Sequence, residues 1–219
     1  MSVSRRKKAI LIVGPTGSGK TPLGNYLANT PVPTFDFIHL DFGEQIRRVT
    51  RGEIEAGLNE AEVEFLRKLL ASGALLEQET FFLAEKIINH FILTHPPKSP
   101  TSIYILNGIP RHHKQALALD PIFRILALIV LEASAEVIFH RLKLDPASDR
   151  QGRTDDSPEL VSRKLDIFRQ RTQPLLEHYQ SLKIPILRVS VEADTLPEHI
   201  FRTIRHNLQS SLGDRSPSA

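Results

Sequence analysis

The chain has 219 residues, 41% of them apolar, a net charge of +3 and no cysteine. That length holds one generous domain. No apolar run approaches the roughly 18 residues of a membrane-spanning helix, and a chain without thiols forms no disulfide, thiolate metal cluster or catalytic cysteine. The positive charge is densest at Arg5, Arg6, Lys7 and Lys8, read as a solvated tail, and a loop at 145–157 adds Arg150 and Arg153 among aspartates. Such a modest excess fits a focusing field for a small polyanion better than a nucleic-acid or membrane surface. The apolar segment after the basic start is short and leads into a glycine-rich loop, so no secretory signal is expected and a cytoplasmic location is.

Residues 9–13, Ala-Ile-Leu-Ile-Val, have the pattern of a strand buried on both faces. The G-P-T-G-S-G-K-T that follows at 14–21 fits the phosphate-binding loop G-x-x-x-x-G-K-[ST] at every fixed position. Leu23, Tyr26 and Leu27 then fall on one side of a helical period, and Pro22 is tolerable only in a first turn. Strand, loop and helix come in the order such a site needs. Gly14, Thr16, Gly17, Ser18, Gly19, Lys20 and Thr21 are therefore the candidate ATP-binding residues. Backbone N–H groups and the helix N-terminus would face the phosphates. Lys20 would bridge the β- and γ-phosphates, and the Thr21 hydroxyl would ligate Mg²⁺.

Further along, 35–40 reads as a second strand, with His39 packing at its end, and 43–50 as a short helix carrying Arg47 and Arg48. Asn59 with Glu62 three residues later forms a capping box. The helix it opens has an apolar stripe of Val63, Leu66, Leu69 and Leu70 and ends at Gly73. A long helix is expected over 77–95, with Phe81 and Phe82 following helical burial. A third strand at 102–106 runs into N-G-I-P-R at 107–111, after which His112 and His113 mark a helix start on the surface. A fourth strand at 124–131 precedes a helix to 144. The polar loop 145–157 carries Arg150, Arg153, Asp155 and Asp156, the two aspartates read as a hinge or salt-bridge pair. A helix at 158–179, crowded near Pro174, a fifth strand at 186–189 and a helix at 196–208 complete the chain, which is expected to fray from Ser210. Strands alternating with helices mean an α/β parallel sheet.

Several segments then fall into a recognisable series. H-L-D-F-G-E-Q-I-R at 39–47, G-A-L-L-E at 73–77, N-G-I-P-R at 107–111 with Gln115, H-R-L at 140–142, and G-R-T-D-D at 152–156 with Lys164 come in this order behind the phosphate loop. In content and spacing they resemble the adenylate kinase family of nucleoside monophosphate kinases in its short-lid form, over nearly the whole chain. The resemblance implies a P-loop NTPase fold with a five-stranded parallel sheet flanked by helices. Its core would be 9–41, 74–144 and 158–210, with a helical monophosphate-binding insertion at about 42–73, a lid at about 145–157 and a frayed tail at 211–219. It implies transfer of the ATP γ-phosphoryl to a monophosphate, foremost AMP, with Mg²⁺, by a monomer with no nucleic-acid or membrane partner. Arg141 and Arg150 would join the ATP site. Phe42, Arg47, Leu76, Gly108, Arg111 and Gln115 would hold the monophosphate, and Lys20, Arg111, Arg153 and Lys164 would act in catalysis. The chemistry agrees: a monophosphate is already an anionic nucleophile, so transfer needs positioning and charge neutralisation rather than a base.

The chain departs from the family pattern in four places. Asn107 stands where the family has an acid, which removes a charge that would help hold Mg²⁺ and its waters. If that weakened site limits the rate, Asn107→Asp is expected to raise activity most at low Mg²⁺; if Lys164 limits it, Lys164→Arg is expected to raise kcat instead. Phe42 replaces a small hydroxyl beside the acceptor base, Lys164 takes the place of an arginine without its planar fork, and Arg150 stands in for a lid arginine. Two alternatives follow: a nucleotide sensor of the same fold, or a small-molecule kinase sharing the loop. The latter would need a carboxylate base, for which Asp36 and Asp41 are the only candidates after the second strand.

Overall fold

The computed structural model describes residues 6–30, 34–145 and 157–213. Five strands, Lys7–Val13 (β1), Asp36–Asp41 (β2), Ser102–Asn107 (β3), Phe123–Glu132 (β4) and Ile186–Ser190 (β5), form one sheet in the order β2-β3-β1-β4-β5. All neighbouring pairs are parallel. The helices are Lys20–Asn29 (α1), Phe42–Thr50 (α2), Glu60–Ser72 (α3), Phe81–Thr94 (α4), His113–Leu119 (α5), Ala135–Leu144 (α6), Pro158–Ser181 (α7) and Pro197–Gly213 (α8). This is the α/β P-loop NTPase fold.

The central strand shows why its sequence has no polar alternation. Ala9, Leu11 and Val13 of β1 pack with α4, α5 and α7 on one face, and Ile10 and Ile12 pack with α1 and α8 on the other. A strand covered on both faces must be apolar at every position. Fully burying a side chain such as Ile10 or Leu11 contributes about 1.5–3 kcal/mol. Ile46 and Val49 of α2 and Leu66 of α3 belong to the same apolar cluster as Leu83 and Ile87 of α4. The segment expected as an insertion is thus packed onto the core.

Several expectations need correction. The long helix expected over 77–95 is a single 3-10 turn, Gln78–Thr80, followed by α4. Phe81 is buried, but the adjacent Phe82 is 46% exposed, because one helical face cannot bury two consecutive side chains. The fraying expected from Ser210 does not occur before Gly213: α8 is regular to that point and Leu212 is buried. The capping box is present, with Glu62 N donating to Asn59 Oδ1 at 2.9 Å and Asn59 N to Glu62 Oε2 at 2.8 Å. Of the 145–157 loop only Asp145 and Ser157 are described, so Arg150, Arg153, Asp155 and Asp156 lie outside the described residues. Among the described residues no helix is long and apolar enough to cross a membrane.

Candidate active site

Parallel strands deliver all their carboxyl ends to one edge, and there a cleft opens. Lys20, Thr21, Arg47, Asn107, Arg111, Arg141 and Lys164 all line it. The phosphate loop enters from β1 and ends on Gly19, which caps α1 at φ 93°, a left-handed conformation that favours glycine. Lys20 Nζ donates to Pro15 O at 2.7 Å. Ser18, expected in the ATP site, is fully buried with its side chain turned inward, which leaves its backbone as the part that serves the loop.

Arg141 lies beneath this loop. Its Nε donates to Gly17 O at 3.1 Å, and its Nη1 donates to Thr195 O at 3.1 Å in the connection between β5 and α8. One guanidinium therefore ties the phosphate loop to the β5–α8 connection while remaining only 4% exposed. Lys164 of α7 reaches the other side of the cleft, where a Cβ added to Gly73 would sit 3.6 Å from Lys164 Cε.

On the opposite flank the walls become apolar, with Phe42, Ile46, Leu69, Leu70, Leu76 and Phe168. Arg47 is aimed across α2 by Glu44, whose Oε2 accepts from Arg47 Nε at 2.8 Å. Arg111 Nε donates to Gly108 O at 3.0 Å. Gln115 lines the cleft, but its Oε1 accepts from Arg111 N at 2.7 Å and its Nε2 donates to Leu76 O at 2.8 Å. The same Leu76 carbonyl is approached by His112 Nε2 at 3.2 Å. His112 was expected on the surface; it is 3% exposed because the turn at 73–77 covers the start of α5.

Between the two flanks sits a polar triad that the residue types alone did not announce. β2 and β3 end in register, so Asp41 pairs with Asn107. Asp41 Oδ2 accepts from the Thr21 hydroxyl and, at 2.9 Å, from Asn107 Nδ2, which also lies 3.1 Å from Thr21 Oγ1. Asp41 Oδ1 accepts from Glu44 N at 3.0 Å and caps α2. Burial alone would raise the Asp41 pKa, but the bonds from Thr21 and Glu44 N and the charges of His39 and Arg47 outweigh it and hold the carboxyl below its ordinary range. An ionised carboxylate only accepts, which fixes the Asn107 amide with its NH₂ toward Asp41. A hydroxyl and a carboxylate oxygen are the hard donors Mg²⁺ takes alongside phosphate oxygens and water, so these residues fit that ion. Among the described residues no group of three or more His, Cys, Asp or Glu side chains could hold a metal unaided.

A strand, phosphate loop and helix opening onto a cationic cleft at the carboxyl edge of a parallel sheet define a P-loop kinase. The profile of the family described as "AAA domain" matches residues 13–162. An adenylate kinase of Synechococcus sp. (strain RCC307) is 30% identical over 176 residues, covering 78% of this chain and 84% of the relative. An adenylate kinase of Prochlorococcus marinus (strain MIT 9211) is 27% identical over 207 residues, covering 92% and 97%. A gluconokinase from Sinorhizobium meliloti 1021 superposes over 97% of this chain and 100% of its own with a TM-score of 0.49 and 16% identity, a likeness too loose to bear on function. The chain belongs to the adenylate kinase family, and it is a phosphotransferase of the nucleoside monophosphate kinase type.

Proposed function

We propose that the protein transfers the γ-phosphoryl of ATP to AMP, giving two ADP, with Mg²⁺ as cofactor. The observation that carries the reading is the cleft itself: the phosphate loop with Lys20 stands at one flank, and Arg47 and Arg111 stand before an apolar chamber at the other. Two polyanions would meet between them. An AMP phosphate oxygen attacks the γ-phosphorus, and the bond to the β–γ bridging oxygen breaks. No proton needs to be removed, so the residues act by charge and position. Lys20 steadies the γ-phosphoryl, Arg47 and Arg111 grip the acceptor phosphate, and Lys164 lines the cleft beside Gly73. Arg150 and Arg153, from the lid, would complete the clamp and help exclude water. Thr21 would hold Mg²⁺, which would supply positive charge to offset that of the ATP phosphates.

The preference for AMP rests on the acceptor chamber. Phe42, Ile46, Leu69 and Leu70 offer no hydrogen bonds, and Gln115 and the Leu76 carbonyl are already engaged. Desolvating a base carbonyl there without a partner is costly. Adenine alone among the common bases has no carbonyl. Asp41 gives a small-molecule kinase a specific footing, since it is a carboxylate at the centre of the cleft, which Asp145 also lines. Its oxygens already accept from Thr21, Asn107 and Glu44 N, and it is held ionised, so it is a poor proton acceptor.

The test is a coupled assay of ADP formation with AMP, dAMP, CMP, UMP and GMP. The expected result is turnover with AMP and dAMP at least about tenfold above the others in kcat/KM. Tight binding of ATP and AMP with no transfer would make the protein a sensor.

A further inference from the structure

We propose that Asp41 is the carboxylate that holds the hydrated Mg²⁺ of the ATP complex against Thr21, and that Asn107 is its positioning partner. The assignment rests on the kinase reading above for its substrate, and on geometry for the residue. The strand beside the phosphate-loop strand, β3, ends in an uncharged amide, Asn107. One strand farther out, β2 ends in Asp41, at the register position directly opposite.

The two oxygens of Asp41 have separate tasks. Oδ1 caps α2 through Glu44 N, a structural role. Oδ2 faces Thr21 and Asn107 inside the cleft. A capping aspartate needs only the first. In P-loop enzymes the loop hydroxyl and a carboxylate act on the metal together, and Thr21 and Asp41 here touch. Asn107 then has a reason to be neutral. Its NH₂ donates to Asp41 Oδ2 and lies within bonding distance of Thr21 Oγ1, so it fixes the carboxylate; an aspartate there would face Asp41 with no proton between them. This reverses the expectation that Asn107 weakens the metal site and that Asn107→Asp repairs it.

The experiment measures ATP affinity by calorimetry, with Mg²⁺ and with EDTA, for the wild type, Asp41→Asn and the swap Asp41→Asn/Asn107→Asp. Asparagine keeps an oxygen for the α2 cap, and the swap rebuilds the same amide–carboxylate pair in mirror order. The expected result is that Mg²⁺ tightens ATP binding by the wild type. Asp41→Asn should lose about tenfold or more of that Mg²⁺-dependent gain while binding metal-free ATP no more weakly than the wild type, and the swap should recover most of the gain. An Asp41→Asn protein with the wild-type Mg²⁺ gain overturns the assignment, as does a wild type whose ATP affinity ignores Mg²⁺. If Asp41→Asn does not fold, the swap decides: a Mg²⁺ gain near wild type supports the pair, and its loss in a protein that still binds metal-free ATP overturns it. A wild type that transfers phosphoryl to no monophosphate, yet loses its Mg²⁺ gain through Asp41→Asn, ends the kinase reading and leaves Asp41 as the metal carboxylate.

Discussion

Gly24 of α1 and His39 of β2 compete for one space: a Cβ on Gly24 would stand 2.2 Å from His39 Nε2. The ring is oriented by its Nδ1, 2.9 Å from Asn25 Oδ1, and its Nε2 lies 3.5 Å from Asn107 Nδ2. A mid-helix glycine normally costs about 0.5–1 kcal/mol relative to alanine. Here overpacking outweighs that gain, and Gly24→Ala should destabilise the protein by about 1–3 kcal/mol. In a His39→Ala background the same alanine should cost little. Urea unfolding of the four proteins checks this; a Gly24→Ala variant as stable as the wild type would refute the contact.

Asn107→Asp places two carboxylates against each other. One of them must then have a pKa raised above its unfolded value. The stability it contributes is present below the unfolded carboxylate range and lost as pH rises through the raised pKa. In EDTA the variant should therefore be less stable than the wild type near neutrality, with the deficit shrinking on acidification. Melting curves across that range decide the matter; a deficit that does not change with pH would count against the pairing.

Lys20→Ala should leave a folded protein whose transfer rate falls by about a hundredfold or more, because a charge aimed at the transferring phosphoryl is lost. Arg47→Ala should act on the other flank, raising the KM for AMP by about tenfold or more and leaving ATP affinity near wild type. Initial-rate kinetics with each substrate varied separate the two effects. An Arg47→Ala variant that loses ATP affinity but keeps normal AMP kinetics would mean that donor and acceptor flanks are interchanged.

His178 on α7 faces His113 and Asp120 and stacks edge-on against Tyr179. Burial first, then His113, lower its pKa below the ordinary 6.5, with Asp120 opposing. The unfolded chain then takes up a proton before the folded one does, so this site's contribution to stability is lost as pH falls from its ordinary pKa toward the lowered one. Chemical denaturation at about pH 7.5 and about pH 5.5 should show a drop that His178→Gln reduces. An equal drop in both proteins would remove His178 from the account.

What was legible in the sequence was what depends on neighbours along the chain. The phosphate loop, its strand and its helix are consecutive, and the Asn59–Glu62 box spans one turn, so their residue types define them. What was not legible depends on which elements meet. The pairing of Asp41 with Asn107 is set by β2–β3 register between residues 66 positions apart. His112 is buried by a turn far from it in sequence, and Gln115 has each end of its amide bonded to the backbone. Arg141, expected at the nucleotide, also braces the loop from below, through carbonyls that only the folded chain brings together.

The most direct measurement of the central claim is ³¹P NMR of ATP and AMP mixed with the protein and Mg²⁺. The account predicts that AMP and ATP signals decline together while ADP rises by one molecule for each of either consumed, with no free phosphate. Loss of ATP with the AMP signal untouched would contradict it.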